Sequence, residues 1–259
     1  MQIQKTVILD PGHGGSDPGA TYYGRQEKDD VLALAFNVGY YLEQLGVPVL
    51  YTRVTDTYDT PYEKAMIGNA SGADYFVSLH RNAMPVPGSA SGIESLVFEE
   101  GSEAAKMARN INAELKQVGY QNLGVIERPG LVVLRKTEMP AVLVEAGFID
   151  NDVDNEIFDR SSQAIAKAIA DGIYQTIQEE HQELIYYQIQ TGAYRNRELA
   201  EQEVNQLKSQ GFPAYLVYED GWYKVRAGAF QDVSNAARLE QSLRQYGYQT
   251  IMVTGRRVE

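Results

Sequence analysis

Residues 6–20 read TVILDPGHGGSDPGA. The apolar run 6–10 predicts a buried strand, and the glycines and prolines after it end the strand in a loop. That loop carries one imidazole, His13, beside glycines that let the backbone turn tightly and leave the ring exposed. The arrangement recurs downstream, where YFVSL (75–79) ends at His80 and AVLV (141–144) ends at Glu145. PVLYT (48–52), Ile93–Phe98 and Leu131–Leu134 predict further strands. Helices are expected over 29–45, where Val31, Leu34, Ala35, Val38, Tyr41, Leu42 and Leu45 fall at helical spacing before Gly46. A capping box, Thr60-Pro61-Tyr62-Glu63, opens another helix to about residue 71. Residues 102–118 and 161–177 predict two more, the second with Ile165, Ala168, Ile169, Ile173 and Ile177 on one face. Strands alternating with helices predict an α/β domain, a twisted and mostly parallel sheet flanked by helices. His13, His80 and Glu145 all fall at strand C-termini, the edge where open α/β sheets bind ligands.

After residue 177 the pattern changes. QEEHQE (178–183) is short, polar and acidic and reads as a linker. Beyond it YQIQTGAY (187–194) matches YKVRAGAF (223–230) at a spacing of 36 residues. A helical pattern follows each copy (196–209 and 232–246), then a glycine and a strand (214–218 and 249–253). The order βαββαβ predicts a small ferredoxin-like α+β domain of two similar halves. The division is therefore residues 1–177, a linker at 178–184, and 185–259.

The 259 residues contain no cysteine and three histidines, His13, His80 and His181. Disulfides, thiolate metal sites and cysteine nucleophiles are excluded. His181 lies among glutamates and is expected to be solvent-exposed, so a transition-metal site has two imidazoles and must take a carboxylate as third protein ligand. The net charge of −12 makes nucleic acid a poor partner, because phosphate binding needs clustered Lys and Arg. Residues 1–177 hold 14 Lys+Arg against 24 Asp+Glu, and residues 178–259 hold 9 against 11. No apolar run approaches the 18 or so residues of a membrane span, and Met1–Thr6 has no basic and apolar leader pattern.

The glycine-rich loop fits no phosphate-binding pattern: GxxxxGK[ST] is absent, and Asp17 stands where a dinucleotide GxGxxG needs its third glycine. GSASG (88–92) has alanine at the serine of a nucleophile elbow. His13 and His80 read either as polar loop and strand-end residues or as ligands delivered to one sheet edge. Glu27, in YGRQEKDD, reads either as a helix first-turn carboxylate or as their partner. Two His and one Glu form a known catalytic zinc set, with the fourth position left to water.

DPGHGGSDPGA (10–20), QEK (26–28), TR (52–53) with Asp56, SLHRNA (78–83) and VEAGFIDN (144–151) closely resemble the zinc-dependent N-acetylmuramoyl-L-alanine amidases of the amidase type-3 family, in motif order over residues 5–177. The resemblance implies Zn2+ held by His13, Glu27 and His80, and a catalytic carboxylate at Glu145. It implies as substrate the amide between N-acetylmuramic acid and the L-alanine that starts the stem peptide. Glu145 is then general base to the attacking water and acid to the leaving amine, roles that a raised pKa favours. The chain departs from the family pattern at Lys64, Gly68-Asn69 and Arg81, the last standing where a small residue is common. Arg81, with Asn82, is expected either to contact an acidic stem peptide or to face solvent.

Residues 185–257 resemble the SPOR family of peptidoglycan-binding repeats, carried by the two eight-residue repeats and the βαββαβ order. The implied ligand is glycan stripped of stem peptides. Strand alternation puts Ile189 and Val225 on the core face and Gln188, Gln190, Lys224 and Arg226 on an open face, with Tyr187, Tyr223 and Trp222 flanking it for sugar stacking. The function expected is a peptidoglycan amidase targeted by a glycan-binding domain. Another zinc hydrolase of the wall (peptidase or deacetylase) and a non-catalytic wall-binding protein are the alternatives. A monomer is expected, and separately an open site, because no long insertion stands between Gly92 and Pro140 to block the groove. Without a visible leader, the enzyme is expected to be made in the cytoplasm and to act after release or lysis, as in a mother cell ending sporulation.

Overall fold

A computed structural model describes residues 5–183 and 186–255. The chain forms two compact units, divided between Ile177 and Gln178. In the first, the elements follow as β1 (Val7–Pro11), β2 (Thr21–Tyr22), β3 (Arg25–Gln26), α1 (Glu27–Gln44), β4 (Val49–Tyr51), α2 (Pro61–Ser71), β5 (Tyr75–Asn82), β6 (Ile93–Val97), α3 (Glu103–Val118), β7 (Asn122–Glu127), α4 (Val132–Lys136), β8 (Ala141–Phe148) and α5 (Asp152–Glu183). The sheet order is β4-β1-β5-β8-β6-β7. Neighbours pair in parallel except β6 and β8, so β6 and β7 run against the other four strands.

Alternation along the strands splits the apolar residues between two helical layers. Val7, Leu9, Tyr75, Val77, Leu79, Val142 and Val144 pack with residues of α1, α3 and α5. Ile8, Phe76, Leu96, Ala141 and Leu143 pack with Ile67 of α2 and with Val133 and Leu134 of α4. Even-numbered residues of β5 and odd-numbered residues of β8 thus share the α2/α4 face, and that parity decides where the polar residues at the strand ends point.

Several elements depart from the sequence pattern, among them the short antiparallel pair β2 and β3, for which no strand is expected. Leu131–Leu134 enters the helix α4 instead of a strand; a short apolar run between turns serves either state, and here Val133 and Leu134 bury themselves beside α2. Strand β7 is absent from the sequence reading because Gly124 and the exposed Asn122 and Leu123 break its pattern. Helix α5 begins at Asp152, not at 161: the Asn151 side chain accepts the amides of Val153 (2.9 Å) and Asp154 (3.2 Å), and a break at Ser161 (φ −121°, ψ 20°) conceals the first turns from periodicity. Residues 178–183 continue α5 instead of forming an irregular linker, since Gln and Glu favour helix and neither Gly nor Pro interrupts them. Residue 184 and the side chain of His181 lie outside the described residues.

The second unit runs β9 (Tyr186–Tyr194), α6 (Arg197–Ser209), β10 (Ala214–Glu219), β11 (Trp222–Phe230), α7 (Val233–Gln245) and β12 (Ile251–Gly255). Its antiparallel sheet has the order β10-β11-β9-β12, the ferredoxin-like arrangement expected from βαββαβ. Ile189, Val225 and Ala227 pack against Ala200, Val204 and Leu207 of α6 and Ala236 and Leu243 of α7.

Candidate metal centre

The loop after β1 is anchored from below. Asp10 is buried: its Oδ1 accepts Thr52 Oγ1 (2.6 Å) and Lys64 Nζ (2.8 Å), and its Oδ2 accepts Ser78 Oγ (2.7 Å). Lys64 Nζ also donates to the Pro11 carbonyl (2.6 Å), so the departure at residue 64 keeps a cation under the loop. The buried Arg53 donates to the carbonyls of Pro11 (3.0 Å), Gly12 (2.8 Å) and Lys28 (2.9 Å), tying the loop to the first turn of α1.

On this base His13 takes a left-handed conformation (φ 56°), uncommon for a residue with a Cβ. Its Nδ1 meets Asp17 Oδ2 (2.8 Å), which aims Nε2 at Glu27 Oε2 (3.0 Å). His80, near the end of β5, places Nδ1 2.9 Å from Glu27 Oε1. The two imidazoles meet edge to face, centroids 4.9 Å apart. A Cβ on Gly12 would lie 2.3 Å from His80 Cε1, and one on Gly19 would lie 2.6 Å from Glu27 Oε2. The loop glycines therefore make room for the cluster as well as for the turn.

Glu27 opens α1, and its side chain is nearly buried. Besides the imidazoles, its carboxylate accepts the backbone amides of Arg81 (3.0 Å) and Ala20 (2.9 Å). Burial pushes its pKa up, but the bonds to His13 and His80 outweigh that and hold it well below the usual carboxylate range. Burial likewise pulls His13 down, and its bonds to Glu27 and Asp17 lift it instead to about 9. His80 is raised for the same reason, chiefly by Glu27 against the cost of burial.

Among the described residues, His13, Glu27 and His80 bring one ligand atom each to within 4.8 Å of one another. Two imidazoles and a carboxylate suit zinc, and Asp17 on the far nitrogen of His13 is the outer carboxylate that such histidines use to fix their tautomer. The residues fit a zinc ion.

Glu145 lies beside His80 in the parallel β5–β8 register and, by parity, on the same face. Its Oε2 is buried and has no hydrogen-bond partner among the described residues. Burial raises its pKa to about 7, the charges of Glu27 and Glu94 adding to the rise and His80 opposing it. Glu94 is there because β6 runs antiparallel to β8, which places the start of β6 at the same edge, in register with Glu145. Asn82 is held at this rim by its bond to Glu94 Oε1 (2.8 Å). Neither Glu94 nor Asp17 is singled out by the sequence reading. The i,i+4 spacing of Asp17 from His13 was the available signal for one; Glu94 had none, because the reversal of β6 is not local.

Two sets of expected ligand contacts lie elsewhere. Arg81 neither faces the site nor faces solvent: it is 1% exposed, because its odd position in β5 points it into the α1/α5 layer. In the second unit, Gln188 (0% exposed) and Arg226 (5%) are buried, not open. Arg226 bonds Gln188 Oε1 (3.1 Å) and Glu219 Oε2 (2.6 Å), and Lys224 reaches the same Glu219 oxygen (3.0 Å). Three polar residues of this face thus converge on one another and on Glu219, while Arg226 Nε is buried without a partner among the described residues, and Gln190 lies half-buried beside Arg226. Of the flanking aromatics, Trp222 lies under the Arg195 guanidinium (4.0 Å), Tyr223 against Tyr218 (4.7 Å), and Tyr187 packs on the unit's core.

Comparison with known proteins gives the family of each unit. The N-acetylmuramoyl-L-alanine amidase family model matches residues 7–175, and the SPOR domain model matches residues 185–254. The chain is 34% identical over 220 residues to the N-acetylmuramoyl-L-alanine amidase CwlM of Bacillus licheniformis, covering 83% of this chain and 85% of that one. It is 33% identical over 221 residues, with the same coverage, to the sporulation-specific N-acetylmuramoyl-L-alanine amidase of Bacillus subtilis strain 168. Among solved structures, an N-acetylmuramoyl-L-alanine amidase from Clostridium difficile 630 superposes with a TM-score of 0.65 at 30% identity, over 68% of this chain and 98% of that one.

Proposed function

The chain belongs to the N-acetylmuramoyl-L-alanine amidase family, and from that premise we propose how its own residues perform the hydrolysis. The reaction is hydrolysis of peptidoglycan at the amide between N-acetylmuramic acid and L-alanine, and the SPOR domain binds peptidoglycan. His13, Glu27 and His80 would hold a zinc ion. A bound zinc ion supplies Lewis acidity, polarising an amide carbonyl and acidifying water. Glu145 takes a proton from the attacking water at Oε2 and returns it to the amide nitrogen, which leaves as the amino group of L-alanine. A carboxyl group with a pKa near 7 is suited to both transfers. Asp17 holds the tautomer of His13, and the amides of Ala20 and Arg81 hold Glu27 in place between the imidazoles. Asn82, at the rim, is positioned to contact the stem peptide.

The observation that carries this reading is the meeting of the His13–Glu27–His80 cluster with the unpartnered Oε2 of Glu145 at one sheet edge. His13 and His80 keep 23% and 19% of their side-chain surface exposed, as an open site requires. Digestion of purified cell wall should release L-alanine amino termini, stop on treatment with a chelator, and resume on addition of zinc. New D-amino-acid termini or free acetate would replace this reading with a peptidase or a deacetylase.

A further inference from the structure

Glu27 is the first residue of α1, and the residue before it, Gln26, makes no side-chain cap. First turns fray, so a ligand carried there is only as fixed as its tethers. Backbone bonds from Glu27 N to the Ala20 carbonyl (3.0 Å) and Lys28 N to the Pro18 carbonyl (3.1 Å), with Arg53 on the Lys28 carbonyl (2.9 Å), hold one side of the turn, and a second tether is built from Arg81. Its Nη1 reaches Asp30 Oδ2 (2.8 Å) in the first turn of α1, and Nη2 donates to the Phe148 carbonyl at the end of β8 (3.3 Å). The same Asp30 oxygen receives Arg25 Nε (2.6 Å) from β3, and Arg25 also grips Asp159 of α5 (2.6 Å). Both guanidinium groups lie against the Phe158 ring, Arg81 at 4.2 Å and Arg25 at 5.3 Å. Two cations and two anions thus balance, and β3, α1, β5, β8 and α5 are tied at one point. The backbone amide of Arg81 meanwhile donates to Glu27 Oε1.

We infer that Arg81 is a positioning residue for the metal ligand Glu27, acting through Asp30 with the Phe158 ring as its platform. The inference rests on the zinc reading above. A buried charge held by one carboxylate oxygen, one carbonyl and an aromatic face is a costly way to stabilise a core, and an apolar side chain of similar volume serves that end as well. What the arrangement adds is direction: it fixes the turn that presents Glu27 to the two imidazoles.

The test is zinc competition against a chromophoric chelator, with thermal melting of the chelated protein and kcat and KM on cell-wall fragments alongside. Outer partners of metal ligands typically contribute about 10–100-fold in metal affinity. Asp30→Asn and Phe158→Leu, which leave Arg81 in place, should weaken zinc binding by about that factor, lower kcat and leave KM nearly unchanged. Arg81→Lys keeps the charge but not the fork, and should fall between wild type and Asp30→Asn. Leu115→Ala, in the core of α3, should lower the melting temperature while leaving the zinc constant as in wild type. The inference is overturned if Asp30→Asn and Phe158→Leu bind zinc within twofold of wild type, or if Leu115→Ala weakens zinc as much as they do. If the wild-type chain takes up no zinc, the zinc reading itself fails, a result separate from either.

Discussion

Single atoms decide the chemistry at the sheet edge. Replacing Glu145 by glutamine keeps the shape and removes the proton-accepting oxygen. Glu145→Gln should therefore retain zinc stoichiometry while hydrolysis falls by about 10²–10⁴-fold, measured as amino termini released from purified wall. Gly12→Ala attacks the same site sterically, because its Cβ would meet the His80 ring at 2.3 Å. That variant should fold, lose most of its zinc in metal analysis, and lose activity in proportion. The strand ends and helix start that carry His13, Glu27, His80 and Glu145 were legible in the sequence; that the four form one site was not, because each also reads as an ordinary polar position and only the family resemblance joined them. The environment of Arg81 was not read from the sequence, although the parity of Tyr75, Val77 and Leu79 puts residue 81 on the helix-covered face. Gln188 and Arg226 were misjudged for a related reason: alternation assigns a face but does not say what covers it.

Elements hold these residues in register. The clearest local signal in the sequence was the capping box of α2, and both of its bonds form: Glu63 N to Thr60 Oγ1 (3.2 Å) and Thr60 N to Glu63 Oε2 (2.7 Å). Thr60→Ala should cost about 1 kcal/mol, a drop of about 2–4 °C in melting temperature, with kcat unchanged. Signals of this kind are local and so were readable. Helix α4 and strand β7 were not, because their state is set by neighbours distant in sequence: α2 beneath α4, and β6 beside β7. The order of the second unit was legible because its two halves repeat, each confirming the other's pattern.

Taken over the whole molecule, the metal cluster couples protonation to stability. In chelated protein the raised pKa of His13 means that its bond to Glu27 contributes fully below about pH 6.5 and is lost as pH rises through about 9. The depressed pKa of Glu27 means that its contribution is present above about pH 4.5 and is lost in acid. Between those limits the chelated chain should be most stable in respect of this cluster. Bound zinc would reverse the slope, because imidazoles must shed their protons to bind it. The gain in melting temperature on adding zinc should therefore widen from pH 6 to pH 8; a gain independent of pH would contradict the ligand assignment.

The antiparallel turn of β6 has a further consequence. It brings the start of β6 back to the edge where β5 ends, so the connection between Asn82 and Ile93 begins and ends at the rim of the site, and its residues 83–89 are exposed. Neither end depends on the length of what lies between them. The segment is a natural place for lineages to insert or delete residues, and for an engineer to graft a loop. Its variation would leave the strands beneath in their places.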